Sequence, residues 1–319
     1  MTTMYPAPPV AAPQTVEPVT YEQLARVTGR HDWWRPIVGT LVLVGLSILA
    51  EIWVFGQYEG MAVALDLPED ADGLRILSDL SDTALTLTGI ALGIPALALT
   101  LWWIQRRTWG SITSVTGRLR LSWLGRCFGI AVLVFGISAV AMGVVGAVIE
   151  PDAPVPDDVW VGWGTFAVGL VMLLCLVPLQ AAAEEYIFRG WLLQATGSLL
   201  RHPILIVIPQ ALLFAAAHGW GTVWGFIDLA VFGVVLALVT IRTGGLEAAI
   251  SLHVTNNLIS FIMSSTYVGG LGTDETAADM PWQYAVVDMA ITVLFAVLVL
   301  QLAKRYQPAT HWNTLARSS

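Results

Sequence analysis

Residues 160–180 read WVGWGTFAVGLVMLLCLVPLQ, a run of 21 positions without one charged side chain, and residues 181–190 continue it as Ala181-Ala182-Ala183-Glu184-Glu185-Tyr186-Ile187-Phe188-Arg189-Gly190. An apolar run of this length spans a bilayer as a helix. Two adjacent acids and an arginine therefore fall at the end of, or inside, a membrane-spanning segment. Ionisable groups there are costly and face a bundle interior or a watery cavity, which makes them candidates for a functional site. Helical spacing separates the two acids. Glu185 and Arg189 are four residues apart and pair along one face, whereas Glu184 is turned about 100° away and has no local partner.

The rest of the composition agrees with an all-α, polytopic membrane helix bundle. The chain has 319 residues, 56% hydrophobic and 12% charged, with a mean hydropathy of +0.72. Soluble domains carry about 25% charged residues. The net charge of -8 matters less than where the charges lie. We read about eight spans, at residues 37–55, 84–104, 127–149, 160–183, 204–218, 226–241, 246–263 and 284–302, the fifth and sixth being short.

Loop charges orient these spans. Arg26, Arg30 and Arg35 precede the first, and Arg106, Arg107, Arg118, Arg120 and Arg126 lie between the second and third. Arg201, Arg242, Lys304, Arg305 and Arg317 occupy the later loops of the same side. The alternate loops are acidic, with Glu59, Asp66, Glu69, Asp70, Asp72, Asp79 and Asp82, then Glu150, Asp152, Asp157 and Asp158, then Asp274, Glu275 and Asp279; Arg75 is the exception. The positive-inside rule then puts both termini in the cytoplasm, in an integral protein of the plasma (cytoplasmic) membrane. The domain reading follows: a disordered cytoplasmic tail (1–36) holding a short amphipathic helix at Tyr21–Thr28, the first three spans (37–155), a core of four spans (160–265), an eighth span (282–303) and a cytoplasmic tail (304–319).

Several chemistries find no footing. Cys127 and Cys175 sit far apart in apolar runs and read as packing residues. There is no basic n-region ahead of an apolar core, no glycine-rich phosphate loop and no HExxH helix. Basic residues are few and scattered, so no nucleic acid partner is expected; the lipid bilayer is the expected partner, and a peptide or membrane-protein substrate is what the resemblance set out below implies.

The second half of the chain holds further polar residues in its spans: His218 after Phe214-Ala215-Ala216-Ala217, then His253 and Asn257. His253 and Asn257 are one helical turn apart and share a face. Glu184 and His218 are each 17 residues from Arg201, so a hairpin turning there sets them at one level, in the cytoplasmic half. Each residue alone has a structural reading, as an interhelical hydrogen bond. Glu51, Asp228 and Asp288 are read as structural or interfacial acids, and Glu247, beside the Gly244-Gly245 turn, as a solvated charge at a helix start.

Taken together, Glu184-Glu185-x-x-x-Arg189, Phe214-x-x-x-His218 and His253-x-x-x-Asn257 resemble the three ordered motifs of the CPBP intramembrane proteases. That family includes the type II CAAX prenyl endopeptidases and proteins linked to bacteriocin processing and immunity. The resemblance covers residues 160–265 and implies an intramembrane endopeptidase. It assigns Glu184 and His218 to activating a water, and His253 and Asn257 to stabilising the oxyanion. Glu185 and Arg189 would orient the helix and tune Glu184. Members are commonly labelled metalloproteases, and a zinc would draw on Glu184, His218 and His253. We expect no cofactor, because that ligand set consumes Glu184 as base and leaves Asn257 idle. Two other classes remain open at this point: a non-proteolytic immunity or scaffold protein of the same fold, and a proton-coupled transporter using Glu184 and His218 as a relay.

Overall fold

The computed structural model describes residues 18–67, 69, 75, 78–149, 160–272 and 276–312. Its apolar helices are α1 (Trp34–Ala64), α2 (Asp79–Gln105), α3 (Leu121–Ile149), α4 (Trp163–Leu199), α5 (Pro203–Ala217), α6 (Val223–Thr243), α7 (Glu247–Ser264) and α8 (Trp282–Tyr306). Each expected span falls on one of them. Six are long and apolar enough to cross a membrane; α5, with 15 residues, is too short for this, and α7 is not among the six. Helix α7 carries Glu247, His253, Asn256 and Asn257 within 18 residues, and those side chains dilute its hydropathy. Helix α6, expected short, runs a full 21 residues.

Local chemistry explains where the helices begin and end. The Ser78 hydroxyl accepts from the Ser81 amide at the start of α2, with Asp79 and Asp82 in the first turn, and the Thr222 hydroxyl does the same for Gly225 in α6. Such caps satisfy amides that the helix leaves open, and the acids complement its dipole. Helix α6 stops at Gly244, whose φ of 71° is the left-handed C-cap conformation that glycine adopts without strain. Helix α4 behaves differently. The acid pair does not end it; residues Tyr186–Leu192 adopt π-helical geometry and the helix continues to Leu199.

Helix α7 is the hub, packed against α3, α4 and α6, with α8 against α3 and α6. The outward faces of α1 and α3 keep Leu41, Leu49, Trp53, Val132, Val140 and Val148 exposed, as lipid-facing surfaces do. Exposed tryptophans gather at both ends of the bundle: Trp33, Trp34, Trp102 and Trp103 at the start of α1 and end of α2, and Trp160, Trp163, Trp220, Trp224 and Trp282 at the starts of α4, α6 and α8. This is the distribution of interfacial aromatic belts.

Two expectations need correction. Within the tail expected to be disordered over 1–36 apart from a short amphipathic helix at Tyr21–Thr28, residues 1–17 lie outside the described residues; that helix is present as a 3-10 helix, Tyr21–Arg26, but it is anchored, with Tyr21, Leu24 and Ala25 buried. The preceding strand β1 (Val19–Thr20) pairs antiparallel with β2 (His311–Trp312), so the C-terminal tail is also ordered up to its last described residue; 313–319 lie outside. The Tyr21 hydroxyl donates to the Ile112 carbonyl, and burial pushes its ionisation well above the ordinary phenol value. Gly197 admits this segment, since a Cβ there would lie 2.1 Å from the Glu22 carbonyl oxygen. Glu247, read as solvated, is fully buried and paired with Arg120. Composition hid the first and a separation of 127 residues hid the second. Several of the acids used for orientation (Asp70, Asp72, Glu150, Asp152, Asp157, Asp158, Asp274 and Glu275), and Arg317, lie outside the described residues.

Candidate active site

The site is built where α4 meets α7. On α4, Gln180 and Glu184 are one turn apart, and on α7 so are His253 and Asn257. The helices meet in antiparallel register, and two polar rungs result. In the first, Glu184 Oε2 lies 3.3 Å from His253 Nε2. In the second, Asn257 Nδ2 donates to Gln180 Oε1 at 3.1 Å. Glu184, His253 and Gln180 are all buried.

The pairing of Glu185 with Arg189 follows the helical spacing, at 2.8 Å and with both side chains fully buried. The same Glu185 Oε1 also lies 2.7 Å from His253 Nδ1, a contact that helical spacing alone does not reveal. A carboxylate can only accept, so His253 Nδ1 carries a hydrogen. His253 Nε2 faces Glu184 Oε2 without a hydrogen bond between them. Aromatic rings close the site: the Arg189 guanidinium lies 4.1 Å from the Phe214 ring centroid, and the Phe232 ring packs edge-on against His253 at 5.4 Å.

His218 joins this site through an aromatic contact. It caps the end of α5, and its Nδ1 lies 2.9 Å from the Phe214 carbonyl. A carbonyl accepts, so Nδ1 bears the hydrogen and Nε2 of the neutral ring is left as an acceptor. The His218 and His253 rings both pack on Phe214, with centroids 4.6 Å and 5.9 Å from it. Asn257 accepts a further hydrogen bond at Oδ1 from Asn256 Nδ2, at 3.2 Å.

The zinc set fits only in part. Glu184 Oε2 and His253 Nε2 stand about as far apart as two ligands on one tetrahedral zinc with bonds of roughly 2.0–2.1 Å. Among the described residues, however, no group of three or more His, Cys, Asp or Glu side chains is arranged to hold a metal ion. Glu184, His218 and His253 thus do not complete a zinc site as they stand.

The π-helical stretch begins one residue after Glu185, and such irregularities inside α-helices occur often at functional sites. Residues 164–259, which contain every polar residue of the site, match the family described as Type II CAAX prenyl endopeptidase Rce1-like. That stretch, under a third of the chain, is similar to the Rce1-like family. Together with its apolar helices, this makes it an integral membrane protein. The chain is also similar to the uncharacterized protein YyaK of Bacillus subtilis (strain 168), with 28% identity over 291 residues that cover 88% of this chain and 95% of YyaK. No solved structure matches it. The segment outside the Rce1-like domain includes α1, α2, α3 and α8, so similarity to YyaK extends where the family match does not.

Sequence reasoning missed Gln180 altogether. The signal was available, since Gln180 is the polar residue closing the charge-free run and stands four positions before Glu184.

Proposed function

We propose that the protein is an intramembrane endopeptidase of the plasma membrane that hydrolyses a peptide bond near the cytoplasmic leaflet. The observation that carries this is the bridged His253, held at Nδ1 by the Glu185–Arg189 pair and facing Glu184 at Nε2. A hydrolytic site needs a base for water and donors for the oxyanion, and this cluster offers both. Glu184 takes the proton of a water that His218 Nε2 holds from the second side. His253 Nε2–H and Asn257 Nδ2–H donate to the tetrahedral oxyanion. As the peptide bond breaks, Glu184 passes its proton to the departing amine. Glu185, paired with Arg189, holds the His253 ring at Nδ1 so that Nε2 faces the reacting group.

The level of the site supports the cytoplasmic leaflet. Glu247 and Arg120 close the end of α7 beside the arginine-rich connections, and His253 lies six residues further along, or about 9 Å at 1.5 Å per residue. Pairing of β1 with β2 supports both chain ends on one face. No zinc is invoked: Glu184 stays free as the base, and every member of the cluster has a role.

The test is a comparison of membrane peptides and protein C-termini in cells carrying the wild type or Glu184→Gln. New C-termini that vanish in the variant support the reading, and identical inventories would end it. With a peptide spanning such a cleavage site, purified enzyme should keep its activity after chelation. Stoichiometric zinc whose removal abolishes cleavage, and whose return restores it, would overturn the metal-free part.

A further inference from the structure

We infer that Gln180 is a positioning residue, which aims the amide of Asn257 at the oxyanion; this rests on the proteolytic reading above. A terminal amide presents nitrogen one way round and oxygen the other, and only the nitrogen side can stabilise a negative charge. Asn257 is fixed from both ends. Its Oδ1 accepts from Asn256 Nδ2 at 3.2 Å, and its Nδ2 donates to Gln180 Oε1 at 3.1 Å. Turning Asn257 over by itself would set nitrogen against nitrogen and oxygen against oxygen. One of the two Nδ2 hydrogens is used by Gln180, and the other remains for substrate.

The position of Gln180 makes this more than a stitch between helices. It is buried, lies on the face of α4 that carries Glu184, and belongs to the rung adjacent to Glu184–His253. The base and the acceptor that orients the oxyanion amide thus lie on one rigid turn of α4, and both donors lie on one turn of α7. A shift of α4 against α7 would disturb water activation and oxyanion binding together. Pro178, two residues before Gln180, removes one backbone amide donor from this stretch of α4, which gives the interhelical amide pair a larger share in fixing it.

The experiment is a double-mutant cycle on the purified full-length protein, using an internally quenched peptide that spans a cleavage site found by the C-terminal comparison. Gln180→Met, which keeps the length and removes the acceptor, should lower kcat about 10-fold with KM within about twofold, as expected of a misplaced donor. Asn257→Ala should lower kcat by about 100-fold or more. Adding Gln180→Met to Asn257→Ala should then change nothing further, because no amide is left to aim. The same fractional loss in both backgrounds, or a wild-type kcat for Gln180→Met, would overturn the inference. If Gln180→Met does not accumulate in folded form, Gln180→Glu takes its place, since it keeps an oxygen facing Asn257 Nδ2. A kcat within about fivefold of wild type supports the assignment, and a larger loss that persists beside Asn257→Ala overturns it. Glu184→Gln separates the two levels: if that variant still cleaves, the proteolytic reading itself fails, whereas a dead Glu184→Gln beside an unaffected Gln180→Met sinks only the role of Gln180.

Discussion

Arg120–Glu247 and Arg189–Glu185 are both buried arginine–glutamate pairs, and they are finished in opposite ways. Arg120 reaches Glu247 through Nε at 2.8 Å and Nη2 at 2.6 Å, and its Nη1 serves the carbonyls of Thr243 and Ala309. That pair is closed, tying the starts of α3 and α7 to the end of α6 and the C-terminal tail. Arg189 makes a single hydrogen bond to Glu185; its Nε and Nη2, together with Glu185 Oε2 and Glu184 Oε2, make no hydrogen bond within the described residues. The one bonded oxygen of Glu185 is shared with His253. The first pair fastens the bundle, and the second, on the proposed function, holds the reacting group.

The largest effect should come from the open side of this contrast. Glu184→Gln is expected to lower turnover by about 10²–10⁴-fold, the range of a lost general base, while the thermal midpoint stays near wild type. A midpoint that falls as far as in Glu185→Ala would erase the distinction between the two acids.

Next come the pairs themselves. Removing one partner, as in Glu185→Ala, Arg189→Ala, Glu247→Ala or Arg120→Ala, should cost about 3–5 kcal/mol, because each leaves a bare charge in a buried place. Replacing whole pairs sharpens the contrast. Glu247→Leu with Arg120→Met should regain much of the stability and keep kcat. Glu185→Leu with Arg189→Met should also regain stability but lose cleavage, since His253 would have no acceptor at Nδ1. Equal cleavage by the two double variants would show that the site does not depend on its pair. The smallest effect is expected far from both. Arg26 donates to the carbonyls of Gly197 and Leu200 at the end of α4, so Arg26→Ala should lower stability by about 1 kcal/mol and leave kcat alone; a large kcat loss would tie the N-terminal segment to the site.

How much of this could be read in advance depended on range. Glu185 and Arg189 were legible because helical spacing alone brings them together, and the shared face of His253 and Asn257 was legible for the same reason. That His253 reaches both acids was not, because it needs the register of α4 against α7, a packing result across 68 residues. Gln180 was passed over because an uncharged amide stands out less than an acid in an apolar run. Glu247 was misread because its neighbours suggest a turn and its partner is remote. The order of residues 18–36 was missed because strand pairing between residues 19–20 and 311–312 leaves almost no local pattern.

The π-helical residues Tyr186–Leu192 have a consequence for how relatives should be compared. A π-helical turn holds one more residue than the α-helical turn it replaces, so it amounts to an insertion that the helix has absorbed. Upstream of it stand Gln180, Glu184 and Glu185; at its far end stands Trp191, whose indole nitrogen donates to Thr40 on α1 at 3.0 Å. A relative lacking the extra residue would keep the acid pair in place and turn everything beyond it by about 100°, carrying Trp191 away from α1. Across the family, the mark of that rearrangement would be a one-residue gap between the acid pair and the end of α4, invisible to any count of substitutions.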